Sequence, residues 1–230
     1  WHDWYLAANL SINDNLDRHL LPGLEPNGVP ANLGGTAFTF AYNDFKALCD
    51  LLHTQQIGVV VMEVMRNETP KNDFLMKVRR ITRDLGVVLI FDECTSGFRQ
   101  SFGGLHLEFD VEPDMATFGK ALGNGYAITA VVGREDVMEC AQSSFISSTF
   151  WTERLGPAAA LKSLEVMERE RSWEIVSNIG EHMKKRWAEA AEINGLDLIQ
   201  SGLPALASFN FSSENNLSYK TLISQEMLKF

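Results

Sequence analysis

The most constraining feature of this sequence is the stretch 85–125, in which a short apolar run ends in two acids and a lysine follows among glycines. Residues 87–90, Val-Val-Leu-Ile, are apolar without a break, which is typical of a strand buried on both faces of a parallel sheet. Asp92 and Glu93 follow at its carboxyl end. Because ligands of open α/β sheets bind outside the carboxyl ends of the strands, we expect a binding site there.

Lys120 is the second constraint, since it lies between Gly119 and the run Gly-Asn-Gly at 123–125. An acid and a lysine that are close in sequence, each at a change of chain direction, are what a pyridoxal phosphate enzyme requires. The lysine amine holds that cofactor as a Schiff base, and a carboxylate beside the pyridine nitrogen stabilises the proton there. The pattern therefore favours Asp92 as the partner of the ring nitrogen. It favours Lys120 as the group that binds the aldehyde and, once displaced, moves a proton.

Other interpretations of these residues remain open from residue types alone. Asp92 and Glu93 could form an exposed turn or an ion pair, and Lys120 could be solvated or bind a phosphate. A nucleotide-binding P-loop is not indicated, because no Ser or Thr follows Lys120 and no glycine lies five residues before Gly119.

The segment 89–125 resembles the signature of the class III, or subgroup II, pyridoxal-phosphate-dependent aminotransferases. That signature has an apolar strand, an Asp-Glu pair, a Gly-Phe-Arg turn, an Asp, a Gly-Lys pair and a tail of small residues. The corresponding positions are Asp92-Glu93, Gly97-Phe98-Arg99, Asp114, Gly119-Lys120 and Gly123-Asn124-Gly125. Within the class, the chain is most similar to glutamate-1-semialdehyde aminomutase and its aminotransferase relatives, and the likeness extends beyond the signature.

The resemblance implies an α/β fold, namely the fold type I large domain of the aspartate-aminotransferase kind, with a mostly parallel sheet and helices on both faces. It implies pyridoxal 5'-phosphate as the cofactor and a small-molecule amino donor and acceptor. The expected activity is transamination, or intramolecular amino exchange, through a Lys120 Schiff base. Another fold type I reaction, such as decarboxylation or racemisation, is an alternative. So is a catalytically incompetent domain that has kept the fold.

The resemblance also assigns further residues to the cofactor site. Cys94 takes the place of a residue, often Val, that packs against the ring. Glu63 corresponds to an acid near the cofactor and substrate, although Val64 replaces the proline that follows it in the family. Thr149 corresponds to a threonine that contacts the cofactor phosphate of the neighbouring subunit, which implies a homodimer with a shared active site.

Each of these assignments has a simpler rival. Glu63 could form an ion pair at a strand end, and Cys94 could be a nucleophile. The Ser-Ser-Thr patch at 147–149 could be a helix cap, with Thr152 as the N-cap of the next helix. Glu93 is expected to form an ion pair, with Arg99 as the candidate partner.

Strands alternate with helices along the chain, which is the pattern of a doubly wound α/β structure. Residues 1–36 are rich in Asn, Asp, Pro and Gly and are expected to be irregular. Strands are predicted at 57–64, 87–90, 113–118, 126–133 and 206–211. Helices are predicted at 43–52, 70–85, 134–141, 153–170, 172–191 and 217–230.

The likeness to the family also indicates that the chain is a fragment, since members of the class are nearly twice as long. Only Trp1-His2-Asp3 remains of a Tyr-His-Gly-Trp-His-Asp region. We expect residues 1–200 to form most of the large cofactor-binding domain, incomplete at its N-terminus. Residues 201–230 should begin a truncated small C-terminal domain.

Composition restricts the partners and the compartment. The formal net charge of −10 argues against nucleic acid or an anionic membrane surface as a partner. No apolar run approaches the roughly 20 residues of a membrane-spanning helix, and no signal peptide is visible. The three cysteines, Cys49, Cys94 and Cys140, are far apart and form no CxxC pair or Cys/His cluster, so neither disulfides nor a zinc site is indicated. A cytoplasmic location fits.

Overall fold

The computed structural model describes residues 31–147 and 149–229, which fall into two units that divide between Ile57 and Gly58. The first 30 residues of the predicted irregular segment lie outside the described part. Its remainder contains a single 3-10 turn, Ala31–Leu33. Among the described residues, none of the helices has the length and apolar character that a membrane crossing requires.

Helix α1, Phe45–Thr54, belongs to the first unit. The carboxylate of Asp44 caps it by accepting a hydrogen bond from the Ala47 amide at 2.9 Å, which satisfies one of the free N–H groups of the first turn. Leu48 and Leu52 form its buried side. The helix starts two residues later than predicted, because Asp44 acts as the cap and is not part of the helix.

The second unit is built around a four-stranded sheet with the order β1-β2-β3-β4. The strands are β1 Val59–Glu63, β2 Val88–Asp92, β3 Met115–Phe118 and β4 Ala130–Gly133. The pairs β1–β2 and β2–β3 are parallel, and β3–β4 is antiparallel. The predicted α/β class with a mostly parallel sheet is confirmed.

The prediction that the run 87–90 is buried on both faces of the sheet is wrong, and β1 beside it is also open on one face. In β2, Leu89 and Phe91 are fully buried, whereas Ile90 is only partly so. In β1, Val59 and Val61 are 49% and 59% exposed, and the residues between them are buried. A continuous apolar run is expected when both faces of a sheet are packed against other elements. Within residues 58–147 and 149–229, however, one face of this sheet is packed and the other is open.

Helix α2, Phe74–Asp84, packs against β2 and buries a face that includes Phe74, Leu75 and Val78. It ends before Gly86, which has φ +68° and returns the chain to the sheet. The predicted helix 134–141 is instead a short helix α3, Glu135–Met138, followed by a 3-10 turn, Glu139–Ser143.

The two long helices are α4, Leu155–Glu170, and α5, Ser172–Ile193, which are separated by Arg171 with φ +50°. Thr152 was predicted to cap α4, and this is wrong. Thr152 closes a 3-10 turn, Thr149–Thr152, and the carboxylate of Glu153 accepts hydrogen bonds from the amides of Leu155 and Gly156.

A separate hairpin pairs β5, Leu198–Ser201, with β6, Ser208–Phe211, and helix α6, Asn216–Met227, follows. The strand β5 was not predicted. Strand β5 spans the predicted boundary, at residue 200, between the large domain and the small C-terminal domain. That domain boundary stays a prediction. Gly180 of α5 approaches the turn inside this hairpin so closely that a Cβ there would lie 1.8 Å from the carbonyl oxygen of Pro204.

Candidate active site

The carboxyl ends of β1, β2 and β3 place three polar side chains side by side. The sheet register pairs Glu63 with Asp92, and Asp92 with Thr117. Neighbours in register point to the same face of a sheet, and here that face is the open one. Glu63, Asp92 and Thr117 are each only partly buried, so a ligand can reach this edge.

Asp92 is oriented by two donors that act on the same carboxylate oxygen. The backbone amide of Cys94 donates to Oδ1 at 3.0 Å, and the hydroxyl of Thr117 donates at 3.4 Å. An Asp that accepts a bond from the amide two residues ahead forms a turn of its own, which ends the strand. Asp92 is therefore a fixed carboxylate at the carboxyl edge of β2.

Lys120 begins the 3-10 turn Lys120–Leu122, which follows β3. Its φ of +46° is in the left-handed region, which costs a non-glycine residue on the order of 1 kcal/mol. The turn can close tightly because Gly123 has no side chain. A Cβ at this position would lie 2.1 Å from the carbonyl oxygen of Tyr126. The amine of Lys120 donates to the hydroxyl of Thr95 at 2.5 Å, and so lies beside the turn that follows Asp92.

Glu63 shares this environment. Burial raises the pKa of the Glu63 carboxyl, and the charge of Asp92 acts in the same direction. Arg66, whose guanidinium lies 3.4 Å from Glu63 Oε1, lowers that pKa, as does the charge of Lys120. The structure thus brings Glu63, Asp92 and Lys120 to one end of one sheet, as the sequence predicts for the acid and the lysine.

Cys94 lies next to this group, with its Sγ 3.8 Å from the hydroxyl of Thr117. Burial raises the pKa of the Cys94 thiol, and the charge of Asp92 acts in the same direction. Because the thiolate is the nucleophilic form, this environment disfavours a nucleophilic cysteine and suits a small packing residue.

Glu93 has no place among the ligand-facing groups, because its side chain is fully buried behind the turn. It accepts hydrogen bonds from His106 Nδ1 at 2.8 Å, from the His106 amide at 2.9 Å and from the Ser96 hydroxyl. Burial opposes its charged form, but these hydrogen bonds outweigh that effect and lower the pKa of Glu93. The predicted partner, Arg99, instead donates to the carbonyl oxygen of Thr95 at 2.8 Å, so that prediction is wrong.

Thr149 is exposed at the start of its 3-10 turn. The contacts that join Glu63, Asp92 and Lys120 do not include it. Its predicted role toward a neighbouring subunit stays a prediction.

Comparisons with known proteins identify the family of this chain. Residues 31–225 match the model of the family described as aminotransferase class-III. The chain belongs to the class-III aminotransferases. The predicted family and fold are therefore confirmed, and pyridoxal phosphate is confirmed as the cofactor of the family.

Two curated relatives show the extent of the match. The chain is 32% identical over 231 residues to 3-aminobutyryl-CoA aminotransferase of Cloacimonas acidaminovorans, a match that covers 96% of this chain and 52% of that protein. It is 37% identical over 158 residues to glutamate-1-semialdehyde 2,1-aminomutase of Sulfolobus acidocaldarius, covering 66% of this chain and 38% of the relative. The chain spans about half the length of the first of these relatives.

A solved structure shows the same fold. The FumI protein of Sphingopyxis sp. MTA144, in its PLP internal aldimine form, superposes with a TM-score of 0.72. The superposition covers 78% of this chain and 45% of that one, at 24% sequence identity.

The residues at the sheet edge of this class-III chain fit pyridoxal phosphate. The cofactor needs an amine for its aldehyde and an anion for its pyridine nitrogen. Lys120 is exposed at this edge, and Asp92 is fixed and partly exposed beside it. The donor set therefore suits the cofactor that the family uses.

Thr95 is a residue of this edge that the sequence analysis missed. Its hydroxyl accepts a hydrogen bond from the Lys120 amine, which connects the turn after β2 to the lysine turn. The only sequence signal was its position three residues after Asp92, within the signature turn.

Proposed function

We propose that this chain carries the catalytic centre of a pyridoxal-phosphate-dependent enzyme that transfers an amino group, either between two molecules or within one. The observation that carries the proposal is the placement of the Lys120 amine against the turn that begins at Asp92, in a chain of the class-III aminotransferase family. When bound, pyridoxal phosphate supplies an aldehyde that amines attack and a ring that takes up an electron pair.

The residues of the chain divide the work around that cofactor. Lys120 would supply the amine for covalent attachment of the cofactor and, when its amine is free, would move a proton at the substrate carbon. The Asp92 carboxylate would hold the ring nitrogen in its protonated form, because an opposite charge within a few Å favours that form. Cys94 would pack against the cofactor ring, and Glu63, at the end of β1, would add a second carboxylate to the cofactor site.

The proposed substrates are a small-molecule amino donor and a carbonyl acceptor. The curated relatives include both aminotransferases and aminomutases, so both reactions fall within the proposal. A screen of amino donors against keto and aldehyde acceptors, with product analysis, separates transfer from internal exchange. It would also reveal decarboxylation or racemisation.

We also propose a homodimer in which Thr149 contacts the cofactor phosphate of the partner. Its exposure leaves it available to a second subunit. Exposed apolar side chains on α5, such as Ile179 and Met183, are of the kind that subunit contacts cover. For the compartment we propose the cytoplasm, in line with the free thiols of Cys49, Cys94 and Cys140.

The test of the proposed function is covalent capture of the cofactor. The full-length protein is incubated with pyridoxal phosphate and reduced with borohydride, and its peptides are examined by mass spectrometry. We expect the added mass on Lys120, and its loss in Lys120→Ala. The control is Lys162→Ala, which removes an exposed lysine paired with Glu165 on α4 and should retain the adduct. An adduct that persists in Lys120→Ala at wild-type level would contradict the proposal.

A further inference from the structure

We propose that Phe98 is a positioning residue for Lys120, because its ring packs against Phe118 and so holds the lysine turn in the conformation that presents the amine at the sheet edge. The inference rests on the proposed function. The ring of Phe98 packs into an apolar cluster, and its effect on Lys120 passes through Phe118, which precedes the lysine by two residues.

The backbones of Lys120 and Phe98 share an uncommon conformation. Both residues are left-handed, with φ of +46° at Lys120 and +61° at Phe98. This region is disfavoured for residues with a Cβ, most of all for bulky ones, and it persists only where neighbouring contacts impose it. Each of the two turns therefore needs contacts that hold it, and the structure shows that the two turns pack together.

Residues on both sides of Lys120 are buried in one apolar cluster, whose members come from β3, the lysine turn and α4. Its buried members are Ala116, Phe118, Leu122 and Ala160. Phe98 and Leu164 of α4 pack against it. Lys120 itself is exposed. The chain must therefore turn between two anchored side chains and leave the lysine outside the cluster, and the left-handed backbone of Lys120 makes that turn.

The turn that contains Phe98 contacts this cluster with both its ring and its backbone. The ring centroids of Phe98 and Phe118 are 5.5 Å apart, and Phe98 also packs with Phe102 at 6.0 Å. A Cβ on Gly97 would lie 2.8 Å from Phe118 Cδ1, so the backbone itself approaches the Phe118 ring. The Phe98 amide closes the turn by donating to the Gly103 carbonyl oxygen at 2.8 Å. Phe118 is thus confined by this turn, and loss of the Phe98 ring would release it.

The expected size of the effect follows from the backbone of Lys120. A non-glycine residue without imposed contacts populates the left-handed region roughly 5- to 30-fold less than the right-handed one. Only molecules whose amine lies at the sheet edge capture the cofactor there, so the capture rate falls with their fraction. The nitrogen itself is unchanged, and a small reagent that approaches from any direction should react with it as before.

The experiment compares two reactions of Lys120 in the full-length protein. Capture of pyridoxal phosphate is stopped with borohydride at timed intervals, and methylation by formaldehyde with cyanoborohydride is followed at low conversion, both by the mass of the Lys120 peptide. We expect Phe98→Leu to slow capture by about 10-fold and to change methylation by less than about 2-fold. Phe98→Tyr, which keeps the ring contact, should stay within about 3-fold of the wild type in both reactions.

Phe209→Leu is the matched control for a general loss of packing. Phe209 is partly buried, as Phe98 is, and its ring packs against Trp187 at 4.9 Å, but it belongs to the hairpin of β5 and β6. We expect Phe209→Leu to lose stability in denaturant unfolding, as Phe98→Leu does, and to capture the cofactor at the wild-type rate.

Helix α4 offers a second pair of variants, which test the inference even if Phe98→Leu does not fold. Leu164→Ala trims a side chain that packs on the cluster, and Leu161→Ala removes one that is 70% exposed on the same helix. We expect Leu164→Ala to slow capture by about 3-fold, since part of the packing around Phe118 and Leu122 remains. Leu161→Ala should leave the capture rate unchanged.

The outcomes separate this inference from the proposed function. Capture at the wild-type rate in Leu164→Ala and in folded Phe98→Leu would overturn the positioning role alone. Equal slowing of capture and methylation would do the same, as would a slowing in Phe209→Leu that matches Phe98→Leu. No capture at Lys120 of the wild-type protein would overturn the proposed function and the inference with it.

Discussion

Asp92 and Glu93 are adjacent acids whose environments assign them different tasks. Asp92 ends β2 on the open face of the sheet, partly exposed and held at one oxygen by Cys94 and Thr117. Glu93, one residue later, faces the interior, where His106 and Ser96 bond to it. Because side chains alternate along an extended chain, one carboxylate lies on the open face of the sheet and the next lies in the core.

Glu93 should therefore contribute to stability and not to cofactor chemistry. Its pKa is lowered in the folded protein, so its contribution is present above the ordinary pKa of Glu and is lost as the pH falls through the lowered value. We expect Glu93→Gln to reduce the free energy of unfolding at neutral pH by roughly 2–3 kcal/mol, the range of hydrogen bonds to a buried charge. Denaturant unfolding at several pH values measures this.

The difference between wild type and Glu93→Gln should shrink as the solution is acidified. Glu165→Gln, which changes an acid that is 59% exposed on α4, is the control and should leave stability within about 0.5 kcal/mol. A Glu93→Gln protein as stable as the wild type at neutral pH would contradict this account.

Residue types alone could single out Asp92 and Lys120 as candidates, because both lie where a strand ends and a turn begins, but they left other interpretations of both residues open. They could not identify the partner of Glu93. Arg99 is closer to Glu93 in sequence and has the opposite charge, but its guanidinium donates to the Thr95 carbonyl oxygen. The residue that binds the Glu93 carboxylate is His106, in a 3-10 turn further along the chain. Which residue pairs with Glu93 depends on tertiary packing, and the apolar pattern of the sequence carries no information about it.

At the scale of elements, Asp114 holds the end of the sheet opposite the site. It lies just before β3 and is 3% exposed. Both its oxygens accept bonds from Arg79 of α2 at 2.8 Å, and one of them also accepts from the amide of Leu89 in β2 at 2.8 Å. Arg134, just after β4, lies 3.2 Å from it. One carboxylate therefore joins α2, β2, β3 and β4, which explains a signature residue that lies away from the lysine.

Asp114→Ala should be among the most destabilising single changes in the chain. It leaves the Arg79 guanidinium, whose side chain is 11% exposed, without its carboxylate, and breaking such a buried pair costs about 3–5 kcal/mol. Asp84→Ala, at the exposed end of α2, is the matched control and should cost less than about 1 kcal/mol. Thermal and denaturant unfolding of both variants test this, and equal losses would contradict it.

The predicted elements were correct where the apolar period was long. The helices α2, α4 and α5 and the strands β1 to β3 were all found, with ends shifted by a few residues. Strand β5 was missed because Leu-Ile-Gln-Ser has too few alternating positions to indicate a strand. The open face of the sheet was missed because burial depends on what packs above a strand, which the strand's own residues do not encode.

At the scale of the whole molecule, the site as described is one edge of one sheet. Lys120, Asp92 and Glu63 come from the same unit, residues 58–229, whereas the proposed role of Thr149 is toward a neighbouring subunit. If each active site contains residues of both subunits, two inactive variants can complement each other in a mixed dimer, which a site within one subunit does not allow.

Two inactive variants should restore each other in a mixed dimer. Lys120→Ala removes the amine and Thr149→Val removes the phosphate contact, but a dimer of one with the other has one site with both residues intact. We expect each variant alone to lose most of its activity, and the mixture, after dissociation and reassociation, to regain up to about one quarter of the wild-type activity. This fraction follows from random pairing, in which half of the dimers are mixed and each has one intact site of two. No recovery in dimers shown to be mixed would contradict a shared site.

The most direct test of the central claim is a crystal structure of the full-length protein loaded with pyridoxal phosphate. We predict that the cofactor lies at the carboxyl edge of the sheet, with its aldehyde carbon bonded to Lys120 Nζ and its ring nitrogen within hydrogen-bonding distance of the Asp92 carboxylate. A cofactor bonded to another lysine, or one whose ring nitrogen faces away from Asp92, would contradict the account.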